Sequence, residues 1–152
     1  MSNKILLKKV CIVDPNSSYN GKEMDVLIED GNITKINKSI SIDKAELIQE
    51  KGLHICPGLF DFSVDFGEPG YEHKETLQSG CEAAMSGGFT GFGLNPTDTP
   101  PRDNKSAVAF CKNFTKNLPI EAFPYGAISK DMKGEQLAEM YDMFKAGAVA
   151  FT

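Results

Sequence analysis

Asp61, Ser63 and Asp65 recur at every second position of the run Leu59-Phe60-Asp61-Phe62-Ser63-Val64-Asp65-Phe66. Side chains two apart on a strand share a face, so three oxygen-bearing groups are expected side by side. Such a set can hold a hard cation, Mg²⁺ or Ca²⁺. The reading preferred for Asp61 over that one is a buried carboxylate bonded to neighbouring backbone, because buried charges need partners. Imidazole is scarce. The two His are His54, in a short apolar run, and His73, ahead of a helical pattern. Both read as satisfied or solvated side chains. Arg102 is the single Arg among sixteen cations. It falls in a loop and is expected to be solvated, and the chain holds little of the bidentate machinery that grips anions. Cys11, Cys56, Cys81 and Cys111 are widely spaced, without C-x-x-C, and read as reduced core residues.

The chain around these residues has 152 positions, 41% hydrophobic and 24% charged, the balance of a folded globular protein rather than a disordered one. A net charge of −5 with no basic stripe argues against nucleic-acid binding. No apolar run approaches the roughly 18 residues of a membrane span, and the N-terminal apolar stretch is too short for a signal peptide. The expected location is cytoplasmic.

Residues 1–56 read as a β-rich segment. A strand over Ile5–Val13 ends at Asp14-Pro15. A hairpin over Lys22–Lys38 turns at Asp30-Gly31, a weaker strand covers Glu46–Gln49, and Leu53–Cys56 stops at Pro57-Gly58. From residue 57 to 152 strands alternate with helices. Strands are expected at Leu59–Phe66, Phe89–Asn95, Ile120–Ala127 and Ala148–Phe151. Helices are expected over Lys74–Ser86, from a cap at Asp103 or Asn104 to Asn117, and over Lys133–Ala146. Their inward faces read as Leu77, Cys81, Ala84 and Met85; Ala107, Phe110, Cys111 and Phe114; and Leu137, Met140, Tyr141 and Phe144. Glu72 and Glu75 fall in the first turn of the first helix, where the dipole favours them. The alternation implies a parallel sheet, either an open doubly wound sheet or part of a (β/α)8 barrel. A barrel needs roughly 250 residues. With the chain stopping inside an apolar strand, the barrel reading expects a truncated object that associates with itself or with a missing C-terminal part.

The segment Cys56-Pro57-Gly58-Leu59-Phe60-Asp61-Phe62-Ser63-Val64-Asp65-Phe66-Gly67-Glu68-Pro69-Gly70 resembles the first barrel strand of dihydroorotases, within the cyclic amidohydrolase family. That pattern reads P-G, two hydrophobics, D, hydrophobic, H-V-H, hydrophobic, R-E-P-G. The resemblance continues through Lys74-Glu75-Thr76, Gly87-Gly88-Phe89-Thr90, the loop Asn95-Pro96-Thr97-Asp98-Thr99-Pro100-Pro101 against M-P-N-T-x-P-P, Gly126-Ala127-Ile128 and Gly147-Ala148-Val149-Ala150-Phe151. It implies an α/β fold: an N-terminal β-sandwich segment, then the first four strands and three helices of an amidohydrolase (β/α)8 barrel. It further implies a zinc-dependent reaction of pyrimidine biosynthesis, the reversible closure of N-carbamoyl-aspartate, in which a metal-bound hydroxide attacks an amide carbonyl.

The chemical positions depart from that pattern. Ser63 and Asp65 stand at the two His ligand positions, beside Asp61, which matches. Gly67 stands at the substrate-binding Arg, and Thr97 at the substrate-binding Asn of the loop. Serine is a poor zinc ligand. The expectation is therefore a chain that binds no metal cofactor and is not catalytic. The resemblance implies a structural partnership with aspartate transcarbamoylase as its role. Two other readings stay open. One is an active cyclic amidohydrolase whose altered metal site is completed by residues beyond 152; the other is a small-molecule sensor that keeps the pocket and drops the chemistry.

Overall fold

Apolar residues on both faces of Lys4–Ile12 make this strand, β1, the centre of a mixed sheet rather than its edge. The computed structural model describes residues 3–152 and divides into two units, Met1–Pro57 and Gly58–Thr152. In the first, β1 pairs antiparallel with β2 (Glu23–Glu29), which pairs with β3 (Asn32–Asn37) across the Asp30-Gly31 turn. It also pairs in parallel with β4 (Glu46–Ile48) and β5 (His54–Ile55). Val10, Ile12, Met24 and Val26 form a core on one face; Leu6, Leu27 and Ile40 form a smaller one on the other. Among the described residues this unit is a single sheet, and it does not close into a sandwich by itself.

One extra residue interrupts β1. Leu7 pairs with Val26 but Val10 pairs with Met24, so Lys8 and Lys9 oppose Asp25 alone, a β-bulge. Lys9 takes φ +53 there. Asp25 holds the bulge. Its carboxylate accepts from the Lys8 ammonium (2.5 Å), from the Lys9 N–H (3.0 Å) and from the Ile40 N–H (2.8 Å).

The second unit is a four-stranded parallel sheet in the order β6 (Leu59–Val64), β7 (Phe89–Leu94), β8 (Glu121–Gly126), β9 (Ala150–Phe151). Four parallel strands in sequential order are half of a (β/α)8 barrel, not the reordered strands of a doubly wound sheet. Helix α1 (Leu77–Ser86) packs Leu77 and Cys81 against Phe92, Leu94 and Phe66. It starts three residues later than the periodicity predicts. Thr76 caps it by accepting the Ser79 N–H, and Ser79 Oγ returns a bond to the Thr76 N–H. Glu72 and Glu75 therefore precede the helix, and the carboxylate at its N-terminus is Glu68, which accepts the Leu77 N–H at 2.7 Å.

Helix α2 (Lys105–Thr115) is capped by Asn104, which accepts the Ala107 N–H. Its buried residues are Val108, Cys111 and Thr115. Phe110, expected inside, is exposed, because the cap sets the helix so that the 108/111/115 row meets the sheet. The third helix departs most. Asp131, Met132 and Gly134 take positive φ, the Gly134 N–H bonds Ser129 Oγ, and Leu137 bridges to Ser129 as extended backbone. Only Met140–Lys145 is α-helical (α3), after a 3-10 turn over Lys130–Met132. Ala138 and Met143 are buried against Val108 and Ala148, while Leu137, Tyr141 and Phe144 are exposed. The expected inward face of Leu137, Met140, Tyr141 and Phe144 does not form: Leu137 lies outside the helix, and of the four only Met140 packs against the Val108–Met143 cluster. Of the cysteines, Cys81 and Cys111 are core residues, Cys11 is half-buried and all four are unpaired. Cys56 is exposed, contrary to expectation, following a two-residue strand that pairs on one side only. No helix among the described residues is long and apolar enough to cross a membrane.

Candidate functional site at the C-terminal ends of two strands

Strand β6 also carries a bulge, and it decides where the chemistry goes. Asp61 pairs with Phe92 and Val64 with Leu94, so Phe62 and Ser63 together oppose Gly93. Alternation is broken at that point. Asp61 falls on the helix side, where it lines a small pocket with Val64, Phe66 and Glu75. Ser63 and Asp65 fall on the opposite side. The three-oxygen face expected from the spacing therefore does not form. Asp61 instead accepts the Ser63 N–H at 3.0 Å, a bond that closes the bulge locally.

Ser63 and Asp65 meet the loop that follows β7. Asn95 Nδ2 donates to Ser63 Oγ at 3.0 Å and to Asp65 Oδ2 at 3.3 Å, and the Thr97 hydroxyl donates to the other Asp65 oxygen. These four side chains form one hydrogen-bonded network at the C-terminal ends of β6 and β7, the end of a parallel barrel where sites are built. Beside it lies a cleft of about 340 Å³ lined by Asp65, Gly67, Tyr71, Lys74 and Thr97. Gly67 has φ +69, and a Cβ there would sit 2.9 Å from the Tyr71 carbonyl oxygen. A larger side chain at 67 requires a different local backbone. The cation that lines the cleft is Lys74, whose ammonium stands 4.5 Å from the Tyr71 ring centroid.

The loop is set from below by a buried ion pair. Arg102 is fully buried, not solvated as its loop position implied. Its guanidinium donates to the carbonyls of Leu94 (2.9 Å), Asn95 (3.0 Å) and Tyr125 (3.3 Å) and to the Asp98 carboxylate. It ties the ends of β7 and β8 together with the Asn95–Asp98 turn. Burial pushes Asp98 up to about 6; the Arg102 guanidinium opposes this and the nearby Asp65 charge adds to it.

The remaining candidates lie elsewhere. His54 Nδ1 is 2.7 Å from the Gly52 carbonyl in the first unit. His73 is exposed, with a ring contact to Tyr71 at 6.3 Å. Neither belongs to the Ser63–Thr97 network. Among the described residues no three His, Cys, Asp or Glu side chains come together as a metal-holding group. Zinc prefers imidazole, thiolate and carboxylate in a tetrahedral set. Here positions 63 and 65 supply one hydroxyl and one carboxylate, and the Asn95 N–H and Thr97 O–H donors already point at their oxygens. This donor set does not fit zinc. Asn95, Lys74 and Tyr71 were not singled out from the sequence. The signal for Asn95 was its place two residues before Thr97, at the end of a strand.

A model of the dihydro-orotase-like family matches residues 52–152. The chain is 39% identical over 150 residues to a dihydroorotase of Aquifex aeolicus, covering 98% of this chain and 35% of that protein. It is 40% identical over 131 residues to a dihydroorotase of Carboxydothermus hydrogenoformans, covering 86% and 30%. It thus spans about a third of the length of the curated relatives it matches. In fold it is similar to an L-hydantoinase from Arthrobacter aurescens, with a TM-score of 0.79 at 24% identity, covering 99% of this chain and 32% of that one. It is also similar to a dihydroorotase crystal structure, with a TM-score of 0.69 at 12% identity, covering 97% and 41%. The half-barrel is therefore part of an amidohydrolase fold, and with a family model matching residues 52–152, well over half of its length, the chain belongs to the dihydroorotase-like family.

Proposed function

We propose that the protein is a dihydroorotase-like member of pyrimidine biosynthesis that does not itself carry out metal-dependent ring hydrolysis, and that it acts as a structural partner of an aspartate transcarbamoylase. The observation that carries this reading is the closed Ser63–Asn95–Asp65–Thr97 network. It occupies with hydrogen bonds the strand-end positions at which the family resemblance calls for metal ligands. Gly67 supports it, since its backbone leaves no room for the side chain of a substrate-gripping Arg. The test is made on the full-length protein. The expected results are substoichiometric zinc after purification, no turnover of dihydroorotate, and co-purification with a transcarbamoylase at micromolar concentration. Failure to associate removes the structural role.

A second reading has its own support in the 39–40% identity to proteins named dihydroorotase. In it, an altered metal site is completed by residues outside positions 1–152. One zinc per chain together with turnover establishes that reading instead. The double substitution Ser63→His and Asp65→His separates the two. The first reading expects it to remain inactive, because Gly67 and Thr97 still lack the substrate anchors and catalysis requires binding that strengthens in the transition state.

A further inference from the structure

We infer that Tyr125 is the positioning residue of this site: from two strands away, its phenol sets the bulge in β6 that turns Ser63 and Asp65 toward Asn95 and Thr97. Tyr125 lies on β8 and reaches across β7 to donate its hydroxyl hydrogen to the Phe62 carbonyl at 2.7 Å. Phe62 is the first residue of the bulge. The path exists because β7 carries Gly93 between them. A Cβ at 93 would lie 2.1 Å from Tyr125 Oη and 2.7 Å from the Phe62 oxygen. Glycine inside a strand marks close approach by a neighbour, and here the neighbour is this hydrogen bond.

The bond acts on the site through the backbone. With the Phe62 carbonyl held on the inner face, Ser63 must follow on the same face, and its N–H turns back to Asp61 Oδ1 at 3.0 Å. The ladder resumes at Val64, whose carbonyl accepts the Asn95 N–H at 3.0 Å. That last bond fixes the residue that donates to both Ser63 and Asp65. In regular alternation Ser63 and Asp65 would lie with Asp61 on the helix side, away from Asn95. The neighbouring rings supply packing but no such bond: Phe60 stacks edge-on with Phe62 at 4.9 Å and with Phe123 at 5.3 Å.

The inference rests on taking the Ser63–Thr97 network as the functional site. The experiment reads its geometry rather than zinc or turnover, so either can fail alone. Native-state amide hydrogen exchange is measured in Tyr125→Phe, which keeps the ring and removes the hydroxyl, and in Phe123→Leu, which removes packing from the same layer. The reference amides are those of Phe92 and Ala122. Tyr125→Phe is expected to speed exchange at Ser63 and Asn95 by about tenfold relative to the references, and Phe123→Leu is expected to leave that ratio unchanged. An unchanged ratio in Tyr125→Phe, or the same selective rise in Phe123→Leu, overturns the assignment.

Discussion

Asp25 in the mixed sheet and Asp98 in the loop after β7 are both almost fully buried, 1% and 5% exposed, and each pairs with a cation. Burial acts upward on both, yet their carboxyls end up shifted in opposite directions. For Asp25 burial acts upward, but the Lys8 ammonium and the N–H groups of Ile40 and Lys9 together hold the carboxyl below its ordinary range. Asp98 has the Arg102 guanidinium, while burial and the Asp65 charge push it up to about 6. Three donors bond the Asp25 carboxylate, the Arg102 guanidinium bonds Asp98, and burial weighs more heavily on Asp98. The two bulges divide in the same way. In β1 the bulge gathers donors around a charge and serves the fold. In β6 it is held by a neutral phenol and serves to aim side chains.

Removing Arg102 tests the less satisfied pair and carries the largest expected effect. Arg102→Met leaves Asp98 buried without its cation and frees three carbonyls at the strand ends, so the second unit is expected to lose about 3–5 kcal/mol. Chemical denaturation followed at the Phe92 amide measures it. A loss below about 1 kcal/mol would mean that the pair only fills space.

Asp25→Ala strands the Lys9 and Ile40 N–H groups and should cost the first unit about 2–4 kcal/mol, read at the Val26 amide. The Phe92 amide is the control for an effect confined to that sheet.

The pH response should sharpen the contrast. Asp25 has a lowered folded pKa, so its stabilisation is present above about pH 4 and is lost as the pH falls through the folded value. Asp98 has a raised folded pKa. Its contribution is present below about pH 4 and is lost as the pH rises through about 6. The second unit is therefore expected to lose on the order of 2 kcal/mol between pH 4 and pH 7 through this group. Asp98→Asn should flatten that slope in denaturation curves at several pH values. An unaltered slope would assign it to another carboxylate.

Much of the fold was legible because local chemistry and tertiary demand agree there. Asp30-Gly31 makes its turn, Asn104 its cap, and the strand–helix alternation after Pro57 gives the parallel order. Where they disagreed, the sequence misled. The apolar spacing of Leu137, Tyr141 and Phe144 suited a long helix, but within that span Gly134 takes positive φ and Leu137 is extended. Arg102 looked like a solvated loop cation because nothing nearby in sequence shows the carbonyls of Leu94 and Tyr125 converging on it.

By itself the sequence determined the family, the parallel strand–helix alternation and the absence of imidazole at positions 63 and 65. All of these are properties of residue type and of spacing along the chain. Only the tertiary structure decided that Asp61 stands apart from Ser63 and Asp65. The period of two holds for a regular strand, and one inserted residue reverses every side chain beyond it. Whether such a bulge forms depends on what crosses the neighbouring strand. Here that is Tyr125, some sixty residues away in the chain, passing through the space that Gly93 leaves open.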